Sequence, residues 1–161
     1  MPGARYARSG GVSAPATPAI RHREHLLGVN RVFAHLALDA ALASGQLALR
    51  RNEAESTRHF RYDGRSAWIR PDGSGSVELG GRLWPFLLEY DRGTLDGGDY
   101  PAKFEGYRRY FAVEAWRADF EARPVLLFVC SDDRAEERVV RAARAHASEL
   151  PLLLTADWRF E

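Results

Sequence analysis

The sequence is nearly devoid of lysine. Its 161 residues include 22 arginines and a single lysine, Lys103, together with one cysteine and one methionine. A lone cysteine cannot form an internal disulfide, and no apolar signal segment precedes the domain, so we expect a protein of the reducing cytoplasm. No apolar run approaches the roughly 20 residues that a membrane-spanning helix needs. The sequence therefore predicts a soluble protein with no membrane partner.

A strong net charge is missing as well. The 23 basic and 22 acidic residues leave a formal charge of +1, so no overall field points to a nucleic-acid partner, although local arginine clusters could still bind one. The length and the 45% of apolar residues suit one domain with a single core. We expect residues 1–20, which lack a periodic apolar face, to be a flexible tail or linker, and residues 21–161 to form that domain.

The apolar pattern predicts a helix at each of three places. Apolar side chains recur at helical spacing over about residues 24–44 and again over about 101–120. Asp132 or Asp133 can cap a third helix, whose apolar stripe includes Val139.

Strand signals lie between and after these helices. The Asp-Gly pair at 63–64 and the Gly-Gly pair at 80–81 each suit a two-residue hairpin turn. Residues 124–130, PVLLFVC, are typical of a central strand covered on both faces, and residues 152–155 indicate a final strand. The order is one helix, three or four strands with hairpins, then helix, strand, helix and strand. It predicts an α/β fold with a mixed sheet flanked by helices.

The second turn determines which acids face each other. If its loop has two residues, Asp72 lies directly across from Glu89 on the neighbouring strand. Pro85 lacks the N–H of a ladder residue, so a bulge near it could shift this pairing. Successive strand residues point to opposite faces of a sheet, so Glu89 and Asp91 share one face.

Three carboxylates, those of Asp72, Glu89 and Asp91, would then converge. Like charges across a sheet are destabilising, so such a cluster needs a proton, a basic neighbour or a metal ion. Mg²⁺ prefers oxygen ligands, often one or two carboxylates completed by waters and substrate phosphate. Such an ion can activate water and stabilise the charge on a phosphodiester being cleaved. The acids therefore predict a Mg²⁺ site.

Lys103 lies at the start of the helix that follows, with Tyr107 one turn along on the same face. Lysine is a compact charge whose pKa can fall on burial, so it can position or deprotonate a water, whereas arginine stays protonated. Because arginine replaces lysine everywhere else, this exception indicates a site residue. Arg92, Arg108 and Arg109 are candidate phosphate contacts nearby.

Plainer interpretations are open for the same residues. Asp72 alone is typical of a Pro-Asp-Gly turn. Glu89 and Asp91 could form a solvated strand end paired with Arg92. The later aromatic residues have core spacing, although one exposed ring could stack on a nucleic-acid base. These aromatic residues are Tyr107, Tyr110, Phe111 and Trp116.

Four stretches together carry a family resemblance. They are RPD at 70–72, FLLEYDRGT at 86–94, Lys103 with Tyr107, and HLLGVNRV at 25–32. Over about residues 22–155 this pattern resembles the replication-relaxation family of plasmids and other mobile bacterial elements. The resemblance implies a DNA-acting protein with DNA and replication or conjugative-transfer proteins as partners, and it leaves a homodimer open. Members usually carry a winged-helix DNA-binding domain before this region, and the first residues here look like its end or its linker.

The same core is similar to the PD-(D/E)XK nuclease superfamily, whose restriction-endonuclease-like core has the order αβββαβ. Pro71-Asp72 and Glu89 match its motif, whereas Asp91 stands where a lysine is usual, and Lys103 fits the neighbouring-helix position used in some members. The resemblance implies a metal-dependent DNA endonuclease with Asp72, Glu89 and Lys103 as catalytic residues. Together with the convergence of the three carboxylates, it leads us to expect Asp72, Glu89 and Asp91 as the Mg²⁺ ligands. The alternative is an inactive nuclease-like module that binds DNA or a partner protein.

Overall fold

The computed structural model describes residues 17–93 and 99–160. Most of the predicted tail, residues 1–16, lies outside the described residues. The helices are α1 (Thr17–Leu42), α2 (Glu53–Ser56), α3 (Asp99–Ala112) and α4 (Asp133–His146). The strands are β1 (Gln46–Asn52), β2 (Arg58–Tyr62), β3 (Arg65–Ile69), β4 (Gly73–Leu79), β5 (Arg82–Asp91), β6 (Val125–Cys130) and β7 (Leu152–Ala156). Short 3₁₀ turns follow at Ala115–Ala118 and Asp157–Phe160.

Five strands form one mixed sheet in the order β1-β4-β5-β6-β7. The first three pair antiparallel, and β5, β6 and β7 pair parallel. The predicted mixed sheet flanked by helices is confirmed, and α1, β1, β4, β5, α3 and β6 follow one another in the expected αβββαβ order. Five strands precede α3 rather than three or four, because β2 and β3 form a separate hairpin inserted between β1 and β4.

Helices cover both faces of the sheet, and strand residues alternate between the two layers. On one face Val32 and Phe33 of α1 pack with Leu88. On the other face α3 and α4 pack with β5 and β6, and Leu87 and Phe128 lie in that cluster. Each fully buried aliphatic or aromatic side chain of this kind stabilises the fold by about 1.5–3 kcal/mol. The prediction that β6 is covered on both faces is confirmed.

Both predicted hairpin turns are present. Residues 63–64 and 80–81 all have positive φ, between 47° and 73°, as a type I′ turn requires. Across the second turn Leu79 pairs with Arg82, and the pairing continues without a shift past Pro85. A bulge is not needed there, because β6 pairs with β5 only from Phe86 onward and leaves one side of Pro85 without a strand neighbour.

The helix ends differ from the predictions. Helix α1 begins at Thr17, earlier than about residue 24, and α3 ends at Ala112 rather than near residue 120. Glu114 adopts a left-handed conformation with φ 50°, which stops α3 although apolar spacing continues. Asp132 caps α4 as predicted, accepting the Ala135 N–H at 2.8 Å. None of the helices in the described ranges has the length and apolar content to cross a membrane.

Candidate active site

Asp72 lies beside Glu89 at the edge of the sheet, just before strand β4 begins. Strand β4 begins at Gly73, opposite Leu88, while β5 runs on to Asp91. The Tyr90 N–H therefore has no β4 partner, and the Asp72 carboxylate accepts it at 2.8 Å. The observed pairing of β4 with β5 thus places Asp72 next to Glu89, as predicted.

Glu89 lies buried beneath α3. Its side chain is 2% exposed. The hydroxyl of Tyr107 donates to Oε1 at 2.5 Å, and the ammonium group of Lys103 forms an ion pair with Oε2. Lys103 and Tyr107 are one helical turn apart, so a single face of α3 supplies both partners. A buried carboxylate requires such pairing, because an isolated charge in the interior is costly.

His25 brings the opposite helix layer to the site. Its Nε2 lies 2.9 Å from Oδ1 of Asp72, and its ring meets that of Tyr90 edge to face. Sequence reasoning did not assign His25 to the site. Its position one turn before the buried Val29, and two turns before Val32, was the available signal that it faces the sheet.

Burial dominates the electrostatics of Glu89. Desolvation raises the pKa of Glu89 to about 7, assisted by the charge of Asp72 and opposed by Lys103 and by the Tyr107 hydrogen bond. Burial, together with the neighbouring Glu89, raises the pKa of Tyr107 well above its ordinary value. Glu89 can therefore exchange a proton near neutral pH, while Tyr107 stays a hydrogen-bond donor.

Lys103 and Asp72 keep their charges. Burial lowers the pKa of Lys103, but the charges of Glu89 and Asp72 outweigh this and the net shift is upward. For Asp72, burial acts in the opposite direction and raises the pKa. The His25 hydrogen bond and the Lys103 charge outweigh this effect, so the net shift is downward. The pKa of His25 is raised, chiefly by its hydrogen bond to Asp72. Lys103 is therefore suited to orient a ligand as a cation, and not to deprotonate one.

A groove of about 640 Å³ opens over these residues. Asp72, Glu89, Lys103 and Tyr107 line one part of it, and β3 lines another. Within residues 17–93 and 99–160, no three His, Cys, Asp or Glu side chains come together as a group that could hold a metal ion. Two carboxylates facing an open groove are nevertheless a donor set of the kind that Mg²⁺ takes from proteins.

A family model described as replication-relaxation matches residues 3–126. The chain belongs to the replication-relaxation family. This membership indicates a role in plasmid or mobile-element replication. The match begins and ends earlier than the predicted span of about 22–155. No curated protein and no solved structure matches the chain, so the resemblance of this family member to the PD-(D/E)XK superfamily stays a prediction.

Asp91 of this replication-relaxation protein shares the α3 face with Glu89, as predicted, but its carboxylate has other partners. The hydroxyl of Tyr100 donates to Oδ2, and the Gly93 N–H donates to Oδ1 at 2.6 Å. These contacts join the end of β5 to the start of α3 across a loop whose residues 94–98 lie outside the described part of the chain. The assignment of Asp91 as a third metal ligand stays a prediction.

The three arginines proposed as phosphate contacts each have an acidic neighbour. Arg92 pairs with Glu24 of α1. Arg108 and Arg109 both pair with Glu105, at 2.5 Å and 2.8 Å, and each is 45% exposed. Their role in binding nucleic acid stays a prediction. Glu105 would compete with a phosphate for Arg108 and Arg109, which the sequence prediction did not consider.

The prediction that the later aromatic residues belong to the core is confirmed, and none of the four rings is left exposed to stack on a base. Tyr107, Tyr110, Phe111 and Trp116 are each at most 7% exposed, because α3 packs its aromatic face against β5, β6 and the hairpin. The exposed rings near the groove belong instead to the β2–β3 hairpin. They are Tyr62 and Trp68.

Proposed function

We propose that this replication-relaxation protein cleaves a phosphodiester bond of DNA, nicking one strand, at the groove that holds Asp72, Glu89 and Lys103. The observation that carries the proposal is that Lys103 reaches across from α3 to Glu89 beside Asp72. Two acids and a lysine on an αβββαβ core have the composition of a nuclease site, even though the lysine comes from the helix. Family membership supports action on DNA.

The chemistry of the donors fits a divalent cation. Asp72 and Glu89 would hold it, which leaves further positions for water and for phosphate oxygens, the usual arrangement for Mg²⁺. When bound, such an ion supplies charge stabilisation at phosphorus and an activated water.

The chain's own groups would divide the remaining work. Lys103, kept cationic by its acidic neighbours, would donate a hydrogen bond to a phosphate oxygen or to the attacking water. Glu89, whose pKa without the ion is about 7, has to be ionised to hold the cation, so the ion displaces the proton that Glu89 carries at lower pH. Tyr107 and His25 would act as positioning residues, because each fixes one oxygen of Glu89 or Asp72.

The test is a nicking assay on supercoiled plasmid and on single-stranded DNA, with Mg²⁺, with Mn²⁺ and with a chelator. The wild type should convert supercoiled to open-circular DNA only with metal present. Asp72→Asn, Glu89→Gln and Lys103→Met should each abolish the conversion. Glu114→Gln is the matched control, since Glu114 is exposed and pairs only on the surface with Arg117. Cleavage that persists equally in all three site variants would refute the proposal.

A second function is favoured by a different observation. Each oxygen of the Asp72 and Glu89 carboxylates already accepts a hydrogen bond or ion pair from the protein. Such a self-satisfied set is what an inactive nuclease-like module would keep while binding DNA or a replication or transfer protein. That function predicts DNA or partner binding which needs no metal and survives Asp72→Asn and Glu89→Gln.

A further inference from the structure

The β2–β3 hairpin carries an exposed aromatic ring on each of its two faces: Tyr62 lies on the face of Phe60, and Trp68 lies on the opposite face. Trp68 is 57% exposed and Tyr62 is 36% exposed. Each ring has an arginine nearby: the guanidinium of Arg70 lies 5.9 Å from the Trp68 ring centre, and that of Arg109 lies 5.6 Å from the Tyr62 ring centre. Exposed rings beside arginines are the usual surface for unpaired bases.

The groove also continues along α3. A second depression of about 340 Å³ shares Glu105 and Arg109 with it and is lined further by Tyr62, Arg108 and Arg123. From Lys103 to Arg109 is six residues, or about 9 Å along the helix axis. Three arginines, against the two carboxylates of Glu105 and Glu149, therefore mark a path from the two acids along the exposed side of α3.

We propose that single-stranded DNA is the substrate of the groove, with its phosphates along Arg109 and Arg123, one base stacked on Tyr62 and another on Trp68, on either face of the hairpin. This inference rests on the proposed function, because it names the substrate class of that same site. A single strand presents the faces of its bases to aromatic rings, whereas a duplex hides them in its own stack. The rings would thus have no partner on intact double-stranded DNA.

A substitution of Glu105 tests whether the phosphates of a single strand follow this path. It pairs with both Arg108 and Arg109, so a bound phosphate has to displace it. Removing its charge should free both guanidinium groups. Glu105→Gln is therefore expected to tighten binding of a single strand by roughly twofold or more, whereas most surface changes would weaken binding or leave it alone.

The experiment measures fluorescence anisotropy of a labelled strand of roughly 15 nucleotides in the presence of a chelator. The same sequence is also tested as a duplex and as RNA. The wild type should prefer the DNA single strand. Trp68→Ala should weaken its binding roughly fivefold or more, and Trp68→Phe should restore most of it. Arg109→Ala should lower the slope of log affinity against log salt by about one.

Two matched controls exist in the chain. Trp84 is 52% exposed with Arg82 beside its ring at 5.1 Å, but it lies near the other end of β5. Arg117 pairs with a glutamate and stands over a tryptophan ring, as Arg109 does over a tyrosine. Trp84→Ala and Arg117→Ala should leave single-strand affinity and its salt slope unchanged.

Equal effects of the paired variants, or tighter binding of duplex or RNA than of single-stranded DNA, would overturn the inference. Because binding is measured without metal, its result is independent of cleavage. Strand binding without nicking removes the proposed function and leaves single-stranded DNA as a ligand of the groove. Nicking without a preference for single strands keeps the proposed function and removes the inference.

Discussion

The imidazole of His25 lies 2.9 Å from the carboxylate of Asp72, and that contact joins α1 to the edge of the sheet where Glu89 and Lys103 meet. Asp72 is held from its other side by the Tyr90 N–H. Both helix layers therefore contribute to one site, since His25 comes from α1 and Lys103 from α3. Substitutions on either layer should change the same acids.

Replacing His25 should destabilise the protein in a pH-dependent way. Since the folded pKa of His25 is raised above 6.5, its stabilising contribution is fully present below that value and is lost as the pH rises through the folded pKa. We expect His25→Gln to lower the free energy of unfolding by about 1 kcal/mol at mildly acidic pH, and by less at alkaline pH. Urea unfolding across this range tests it. His59→Gln, at an exposed position on β2, should show little change at any pH.

Removing the Lys103 charge should be costly mainly when Glu89 is ionised. The pKa of Glu89 is about 7 with Lys103 beside it, and Lys103 lowers that pKa. In Lys103→Met the buried carboxyl therefore stays neutral to a higher pH, and the loss of stability grows as the pH rises above about 7. We expect a loss of about 1–3 kcal/mol of unfolding free energy above pH 7 and a smaller loss below. Arg117→Met removes an exposed pair and should change the free energy of unfolding little. A loss from Lys103→Met that is independent of pH would contradict the ion pair.

Metal binding should depend on the same titration. The cation competes with the proton on Glu89, so the rise in Tm caused by Mg²⁺ should grow as the pH increases through about 7. Thermal unfolding with and without Mg²⁺ measures this. The pH dependence should disappear in Glu89→Gln. An equal rise in that variant would show that the ion binds elsewhere.

Asp91→Asn separates a metal ligand from a structural residue. Asparagine retains an oxygen that can accept the Gly93 N–H, and its amide can donate to the Tyr100 hydroxyl, so the contacts of Asp91 are replaceable. We expect near-normal Mg²⁺ affinity by titration calorimetry, in contrast to a large loss in Asp72→Asn. Equal losses in the two variants would show that Asp91 is a third ligand.

Gly28 should tolerate no side chain. A Cβ at this position would lie 2.1 Å from the Tyr90 ring, which must then move away from Asp157, to which its hydroxyl donates at 2.8 Å. We expect Gly28→Ala to lower unfolding free energy by about 1–3 kcal/mol. Gly106→Ala is the control, because its Cβ would meet nothing closer than 3.8 Å. In helix α3 that change should stabilise by up to about 1 kcal/mol.

Local sequence signals were sufficient to predict much of the fold. Two glycine-containing turns set the hairpins, and the second placed Asp72 beside Glu89 because two-residue loops fix strand register. The spacing of apolar residues did not predict where the helices end. Apolar periodicity continues past Ala112, but the left-handed Glu114 ends α3, a backbone feature with no marker in the apolar pattern.

The sequence by itself determined which side chains share a face: Glu89 with Asp91 along a strand, and Lys103 with Tyr107 along a helix. Only the tertiary structure decided which of them meet. Packing of α3 buries Glu89 against Lys103, and this burial raises the pKa of Glu89. Tyr100 donates a hydrogen bond to Asp91, and α1 places His25 beside Asp72. Periodicity is a property of neighbouring residues, whereas these contacts join residues from 9 to 47 positions apart and follow from how the layers pack.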